Sequence, residues 1–259
     1  MIFRYLNMDI NYLKEGFGDP IILIHGWGSN LQTFDNIVPS LVLMYTVYRI
    51  DLPGFGMSDE LHYPFSVDDY AYFIKAFIDR YEINNPILIG HSFGGKILIR
   101  YASTNINYKN LILIDSAGIK HPVPLNILLK IILFKIKKAW YKITKNDLAF
   151  QKLYVDNGST DYKNASMIMK ATLSKVIRED LKKDLEKITK EVLLIWGRLD
   201  ATTPYRDAIT MKKLLVNSGL VTFNESGHFP YLEEQRLFIR VLENYLQIDE
   251  SLDEEIKKL

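Results

Sequence analysis

The segment Gly90-His91-Ser92-Phe93-Gly94 follows directly on the apolar run Pro86-Ile87-Leu88-Ile89 and leads into Gly95-Lys96-Ile97-Leu98-Ile99-Arg100-Tyr101-Ala102. The first run has the composition of a buried strand and the last reads as a helix, so the residues between them must reverse direction almost at a point. A turn that tight leaves no room for a Cβ where the backbone folds back on itself, which accounts for glycine on both sides of Ser92. It holds the serine in a strained, exposed conformation at a helix N-terminus. That geometry serves chiefly to present a nucleophilic oxygen. The three fixed positions of G-x-S-x-G would arise by chance in about one chain in ten of this size. The motif therefore takes its meaning from partners elsewhere in the chain.

The 259 residues are enough for one α/β domain with an insertion, and 48% hydrophobic with 24% charged residues is ordinary for a soluble globular protein. There is no cysteine, which excludes disulfides, thiolate metal sites and cysteine nucleophiles. The start, Met1-Ile2-Phe3-Arg4-Tyr5-Leu6, lacks the long apolar stretch and small-residue cleavage site of a signal peptide. No uncharged apolar run approaches the roughly 20 residues a bilayer span needs. A cytoplasmic protein is expected.

Apolar runs of β type recur at Ile21–Ile24, Tyr45–Ile50, Pro86–Ile89, Leu111–Ile114, Val192–Trp196 and Leu220–Phe223. Their near-continuous Ile/Leu/Val character predicts strands covered on both faces, as in a parallel sheet between helix layers. Phe3 to Leu13 alternates as an antiparallel hairpin would, and helical periodicity fills Val67–Tyr81, Gly95–Ser103, Tyr205–Val216 and Gln235–Gln247. The expected fold class is α/β: a mostly parallel central sheet with helices on both faces.

Between Asp115 and Glu191 the rhythm breaks and helical stretches follow one another with no strand between them. This predicts a helical cap at 119–189 inserted into a core made of 1–118 and 190–259. Residues 121–190 hold 15 Lys/Arg against 7 Asp/Glu while the remainder holds 17 against 24, so near-neutrality conceals a basic cap on an acidic core. Leu125 to Ile143 form one apolar helical face, with Lys130, Lys135, Lys137, Lys138, Lys142 and Lys145 opposite. The favoured reading is a lid packed on the core with its lysines in water. The other is weak contact with a membrane surface or with anionic substrates. A nucleic-acid partner is not expected, because no aromatic stacking platforms interleave the basic residues. The sequence does not set the oligomeric state.

A serine hydroxyl needs a base, and the base an orienting acid. Of the five histidines, His91 lies within the turn and should point into the core. His25 ends the first parallel strand, where shaping a loop is its expected role. His62 and His121 sit in loops without a visible partner. His228, in Ser226-Gly227-His228-Phe229-Pro230, follows the last β-type run and so falls at the carboxyl edge of the sheet, where Ser92 also lies. For the acid, Trp196-Gly197-Arg198-Leu199-Asp200 ends the preceding strand. Asp200 is assigned as the acid, with Asp115 as its competitor, giving the order Ser92, Asp200, His228. The oxyanion hole falls to the backbone N–H groups of Phe93 and of Trp27, in the glycine-rich turn His25-Gly26-Trp27-Gly28. Trp27, Phe93, Phe229 and Tyr231 are expected to line an acyl pocket. Neither a cofactor nor a metal is called for.

With these residues assembled the chain resembles the α/β-hydrolase superfamily. GHSFGG (Gly90–Gly95), HGWG (His25–Gly28), DLPGFGMSD (Asp51–Asp59), WGRLD (Trp196–Asp200) and SGHFPYLEE (Ser226–Glu234) match its pattern in order. The resemblance implies the α/β-hydrolase fold, a structural role for Asp51–Gly54 beneath the oxyanion loop, and acyl chemistry on Ser92. A serine hydrolase acting on small to medium carboxylic esters is the leading expectation. Acyl transfer or perhydrolysis, C–C bond hydrolysis, and a non-catalytic ligand sensor remain the alternatives. Ser92 argues against epoxide and halide chemistry, which uses aspartate in this superfamily. Ring-cleavage-product hydrolases usually show Gly-Pro-Gly where Gly28-Ser29-Asn30 stands, and tryptophan where Phe229 stands.

Overall fold

The computed structural model describes residues 1–122 and 165–248. The chain opens with a hairpin, β1 (Ile2–Tyr5) and β2 (Met8–Glu15), joined through Leu6 and Asn7 at φ 49° and 61°. Two successive left-handed residues give the turn whose twist suits flanking strands. β3 (Asp19–Ile24), α1 (Val38–Leu41), β4 (Tyr45–Ile50), α2 (Val67–Arg80), β5 (Ile87–His91), α3 (Phe93–Ala102) and β6 (Leu111–Ile114) follow. After them come α4 (Met167–Val176), α5 (Lys182–Leu185), β7 (Val192–Gly197), α6 (Arg206–Leu214), β8 (Ser218–Phe223), α7 (Pro230–Glu233) and α8 (Gln235–Leu246). The expected lysine-bearing helix at 125–143 lies outside the described residues.

The eight strands form one sheet in the order β1-β2-β4-β3-β5-β6-β7-β8. The β1–β2 and β2–β4 pairs are antiparallel and every other pair is parallel. Period-two alternation explains why the strand runs are continuously apolar. Ile22, Ile24, Leu88, Leu111, Leu113, Leu194 and Trp196 face the core beneath α2 and α3. Ile21, Leu23, Ile89, Ile112, Ile114, Leu193 and Ile195 face the core beneath α1 and α8. Each such side chain contributes about 1.5–3 kcal/mol on burial.

The parallel register places the functional loops along one edge. Ile24 lies opposite Gly90, His91 opposite Ile114, Ile114 opposite Ile195, and Gly197 opposite Phe223. The segments after β3, β5, β6, β7 and β8 all emerge together there. α3 begins at Phe93, two residues before the sequence expectation of Gly95, because the turn is so short that Ser92 is itself the N-cap. Ser92 has φ 51° and ψ −111°, a strained conformation for a residue with a side chain and one that costs about 1–3 kcal/mol. The glycines around it supply the clearance: a Cβ at Gly90 would come within 2.6 Å of Gly95 N, and one at Gly94 would run into the Ile24 carbonyl.

Backbone on both sides of that gap means neither can yield. Gly94→Ala is expected to lose about 3 kcal/mol of stability, as overpacking against fixed atoms does. Gly219→Ala, whose Cβ would meet only a flexible Leu193 methyl at 3.5 Å, should change little. Urea unfolding midpoints of the two variants test the contrast.

Candidate active site

Four segments converge on Ser92. Its own N–H donates to the Ile114 carbonyl at 2.9 Å and its carbonyl accepts from Ala117 at 3.0 Å, tying the serine to the loop after β6. The turn after β3 sits equally close, since a Cβ on Gly26 would lie 3.2 Å from Ser92 Cβ. That turn is held from below by His25, which is fully buried. Its Nδ1 lies 2.8 Å from the Gly26 carbonyl and its Nε2 accepts the Leu52 N–H at 3.0 Å. The two contacts require the Nδ1–H tautomer, and burial lowers the ring to about 4, so it stays neutral at ordinary pH. Asp51 adds a second brace, accepting from Leu31 N at 2.7 Å, Met57 N at 2.9 Å and Asn11 Nδ2 at 2.8 Å. Trp27 N–H and Phe93 N–H have no other acceptor among the described residues.

His228 is carried on the loop between β8 and α7. Glu233 clamps that loop from both sides, accepting from Gly227 N at 2.6 Å and Phe229 N at 3.1 Å. His91 Nε2 donates to the His228 carbonyl at 2.8 Å. Burial holds the His91 ring down at about 3, so it fixes the loop as a neutral donor. Ser92 and His228 are thereby anchored through adjacent residues of one turn. Ser92 Oγ makes no hydrogen bond among the described residues, a looseness common before substrate arrives.

The imidazole is oriented by Asp200, whose Oδ2 lies 2.8 Å from His228 Nδ1. Thr203 Oγ1 donates to the same oxygen at 2.6 Å, and Thr202 N and Thr203 N donate to Oδ1 at 2.7 and 3.0 Å. Burial alone would raise this carboxyl. The bonds from His228 and Thr203, together with the charge of His228, outweigh it and hold Asp200 at about 2. Asp115 ends β6 with φ 41° and accepts the Gly197 N–H at 2.9 Å. Burial first, then the neighbouring charge of Asp200, pushes it up to about 9. One carboxylate and one carboxylic acid therefore stand side by side. Acidic and imidazole atoms of Asp115, Asp200 and His228 lie within 4.8 Å of one another, a spacing that could hold a cation. With His228 Nδ1 held by Asp200, the same arrangement suits proton transfer.

A cavity of about 230 Å³ opens over Ser92, with Trp27, Phe93, Lys96, His121, Leu173, Val176 and Asp207 on its wall. Two of the four expected pocket residues are not there. Tyr231 is fully buried in the core beneath α8, its ring packed on Phe34 and Phe238 and its hydroxyl 3.0 Å from Thr33 Oγ1. Phe229 lies beside the His91 and His228 rings at centroid distances of 4.9 and 5.1 Å, outside the cavity. Position in the motif could not separate a residue that faces the cavity from one that supports the loop. His121, for which the sequence offered no partner, has one: its Nε2 lies 2.9 Å from Asp207 Oδ2 across the cavity wall. Lys96, in a pattern that reads as an ordinary amphipathic helix, is 5% exposed.

A family model described as alpha/beta hydrolase fold matches residues 19–155, and one described as TAP-like protein matches residues 163–252. The chain belongs to the α/β-hydrolase fold family. A pimeloyl-[acyl-carrier protein] methyl ester esterase of Legionella pneumophila is 27% identical over 93% of this chain and all of its own length. An AB hydrolase superfamily protein of Bacillus subtilis is 30% identical over 85% of this chain and 88% of its own length. An esterase from Exiguobacterium antarcticum superposes with TM-score 0.75 at 24% identity, covering 95% of this chain and 98% of that one. The kinship is with carboxylesterase-like hydrolases. No helix among the described residues is long and apolar enough to cross a membrane.

The raised Asp115 has a sign that stability measurements can read. Unfolded, the carboxyl ionises near its ordinary value of 3.8, whereas folded it keeps its proton until about 9. Folding is thus opposed progressively as pH rises through that window, and not below it. Asp115→Asn does not titrate, so its melting temperature should gain on the wild type from pH 5 to pH 9. An unchanged gap across that range would show that Asp115 is ionised in the folded protein.

Proposed function

We propose that this protein is a serine esterase that cleaves small to medium carboxylic esters through an acyl-enzyme on Ser92. The observation that carries the reading is the Asp200–His228 bond of 2.8 Å on a loop fastened to the residue next to Ser92. His228 takes the Ser92 proton as the oxygen attacks the ester carbonyl, and Asp200 stabilises the imidazolium that forms. The developing oxyanion is received by the N–H groups of Trp27 and Phe93, the latter at the positive end of α3. His228 then returns its proton to the departing alcohol, and water, activated by the same imidazole, releases the acid.

Trp27 and Phe93 bracket the acyl group, their rings in edge contact at 5.3 Å, while Leu173 and Val176 close the far wall. In this reading residues 119–189 act as a lid over a core of 1–118 and 190–259. Methyl ester cleavage is the activity named for the Legionella relative, and small alkyl esters suit a cavity of about 230 Å³ here.

Replacing Ser92 by Ala should lower kcat for p-nitrophenyl butyrate by at least about 10³-fold, and Asp200→Asn by about 10⁴-fold through loss of the productive tautomer. Full activity in Ser92→Ala would end the proposal. Near-normal activity in Asp200→Asn would remove Asp200 from it.

A further inference from the structure

Lys96 stands four residues beyond Ser92 on α3, about 6 Å along the helix axis, and its backbone N–H donates to the Ser92 carbonyl. Its side chain lies on the wall of the cavity that contains Ser92. Only 5% of the residue is exposed. Nζ donates to the carbonyls of Val176 and Glu179 at 2.6 and 2.7 Å, capping the C-terminal end of α4. Those two bonds use two of three N–H donors, and both acceptors are uncharged.

A buried charge is costly unless an opposite charge meets it. No carboxylate lies within ion-pair distance of Lys96 among the described residues. The acids nearest to it are committed elsewhere. Glu179 accepts from Val67 N at 3.0 Å and from Arg100 at 3.3 Å, and Asp180 pairs with Lys182 at 3.4 Å. Across the cavity Asp207 is held by His121. Lys96 therefore lines the reaction cavity with one N–H donor beyond its two backbone bonds and no carboxylate in ion-pair contact, Glu179 and Asp180 acting on it only at longer range.

We propose that Lys96 selects anionic esters: substrates in which a carboxylate lies a few bonds from the scissile carbonyl and supplies the missing counter-charge. The inference rests on the esterase reading above and names its substrate class. A cavity of about 230 Å³ is on the scale of a small half-ester of a dicarboxylic acid. Burial brings Lys96 down to about 8, against the opposing charges of Glu179 and Asp180 and with help from Arg100 and Lys120. The amine is accordingly protonated at neutral pH and loses its charge in mildly alkaline solution.

The test is a ratio of kcat/KM values measured in one protein. Monomethyl adipate against methyl hexanoate places the carboxylate on the acyl side, and 3-acetoxypropanoate against propyl acetate places it on the alcohol side. The wild type at pH 7 should favour the anionic member of at least one pair by about tenfold or more, the scale of a charge-assisted contact. Lys96→Met should bring that ratio close to one. In the wild type the ratio should also fall as pH passes 8, and this arm needs no variant to fold. Lys96→Met should show no such fall, which separates Lys96 from His121, Asp207 and Asp115. A ratio near one in the wild type overturns the proposal, as does a preference that survives Lys96→Met. If Ser92→Ala still cleaves the neutral esters, it is the esterase reading that fails. If the neutral esters need Ser92 and no charge preference is found, the substrate class alone is lost.

Discussion

The structure depends on a reversal of direction at one residue. β5 ends at His91 and α3 begins at Phe93, so Ser92 alone makes the turn, at φ 51°. A conformation this unfavourable persists only where its surroundings leave no alternative. Here the surroundings are backbone: a Cβ on Gly94 would meet the carbonyls of Ile24 and His25, and one on Gly90 would meet Gly95. The strain leaves the hydroxyl clear of the α3 hydrogen-bond ladder, beside the first N–H of that helix.

Around that point the protein uses neutral histidines as struts. His25 and His91 are both fully enclosed, and burial keeps both rings uncharged. One fixes the Gly26 carbonyl, and the other fixes the carbonyl of His228. The third histidine, His228, sits opposite a carboxylate that four donors hold ionised. The same residue type is thus a neutral spacer in two places and a ring paired with a carboxylate in the third, and the environment decides which. The pair of acids works the same way. Asp115 and Asp200 end neighbouring strands, but only Asp200 is met by enough donors to remain charged, which leaves it to orient the imidazole.

Much of this was legible in the sequence. Strands buried on both faces announce themselves as unbroken Ile/Leu/Val runs, so the parallel sheet could be read directly. Glycines flanking Ser92 mark the turn because no other residue fits. Choosing Asp200 over Asp115 was possible only as an assignment by position, since both lie at the same sheet edge and the difference between them is a count of hydrogen bonds. The supporting roles were not visible. Tyr231 looks like a pocket residue in SGHFPYLEE, yet one turn of α7 directs it into the core. Glu233 reads as a surface acid, but it brackets His228. Lys96 reads as one polar position on a helix, because nothing local shows that the loop after α4 covers it. Local patterns carry backbone conformation well. They carry poorly which neighbour, distant in sequence, a side chain meets.

The central claim is that the Ser92 oxygen is made nucleophilic by His228. Labelling with a fluorophosphonate, followed by peptide mass mapping, tests it most directly. The account predicts a single adduct on the peptide containing Ser92, formed rapidly in the wild type and far more slowly once His228 is replaced by Ala. An adduct on another residue, or equal labelling rates with and without the imidazole, would contradict it.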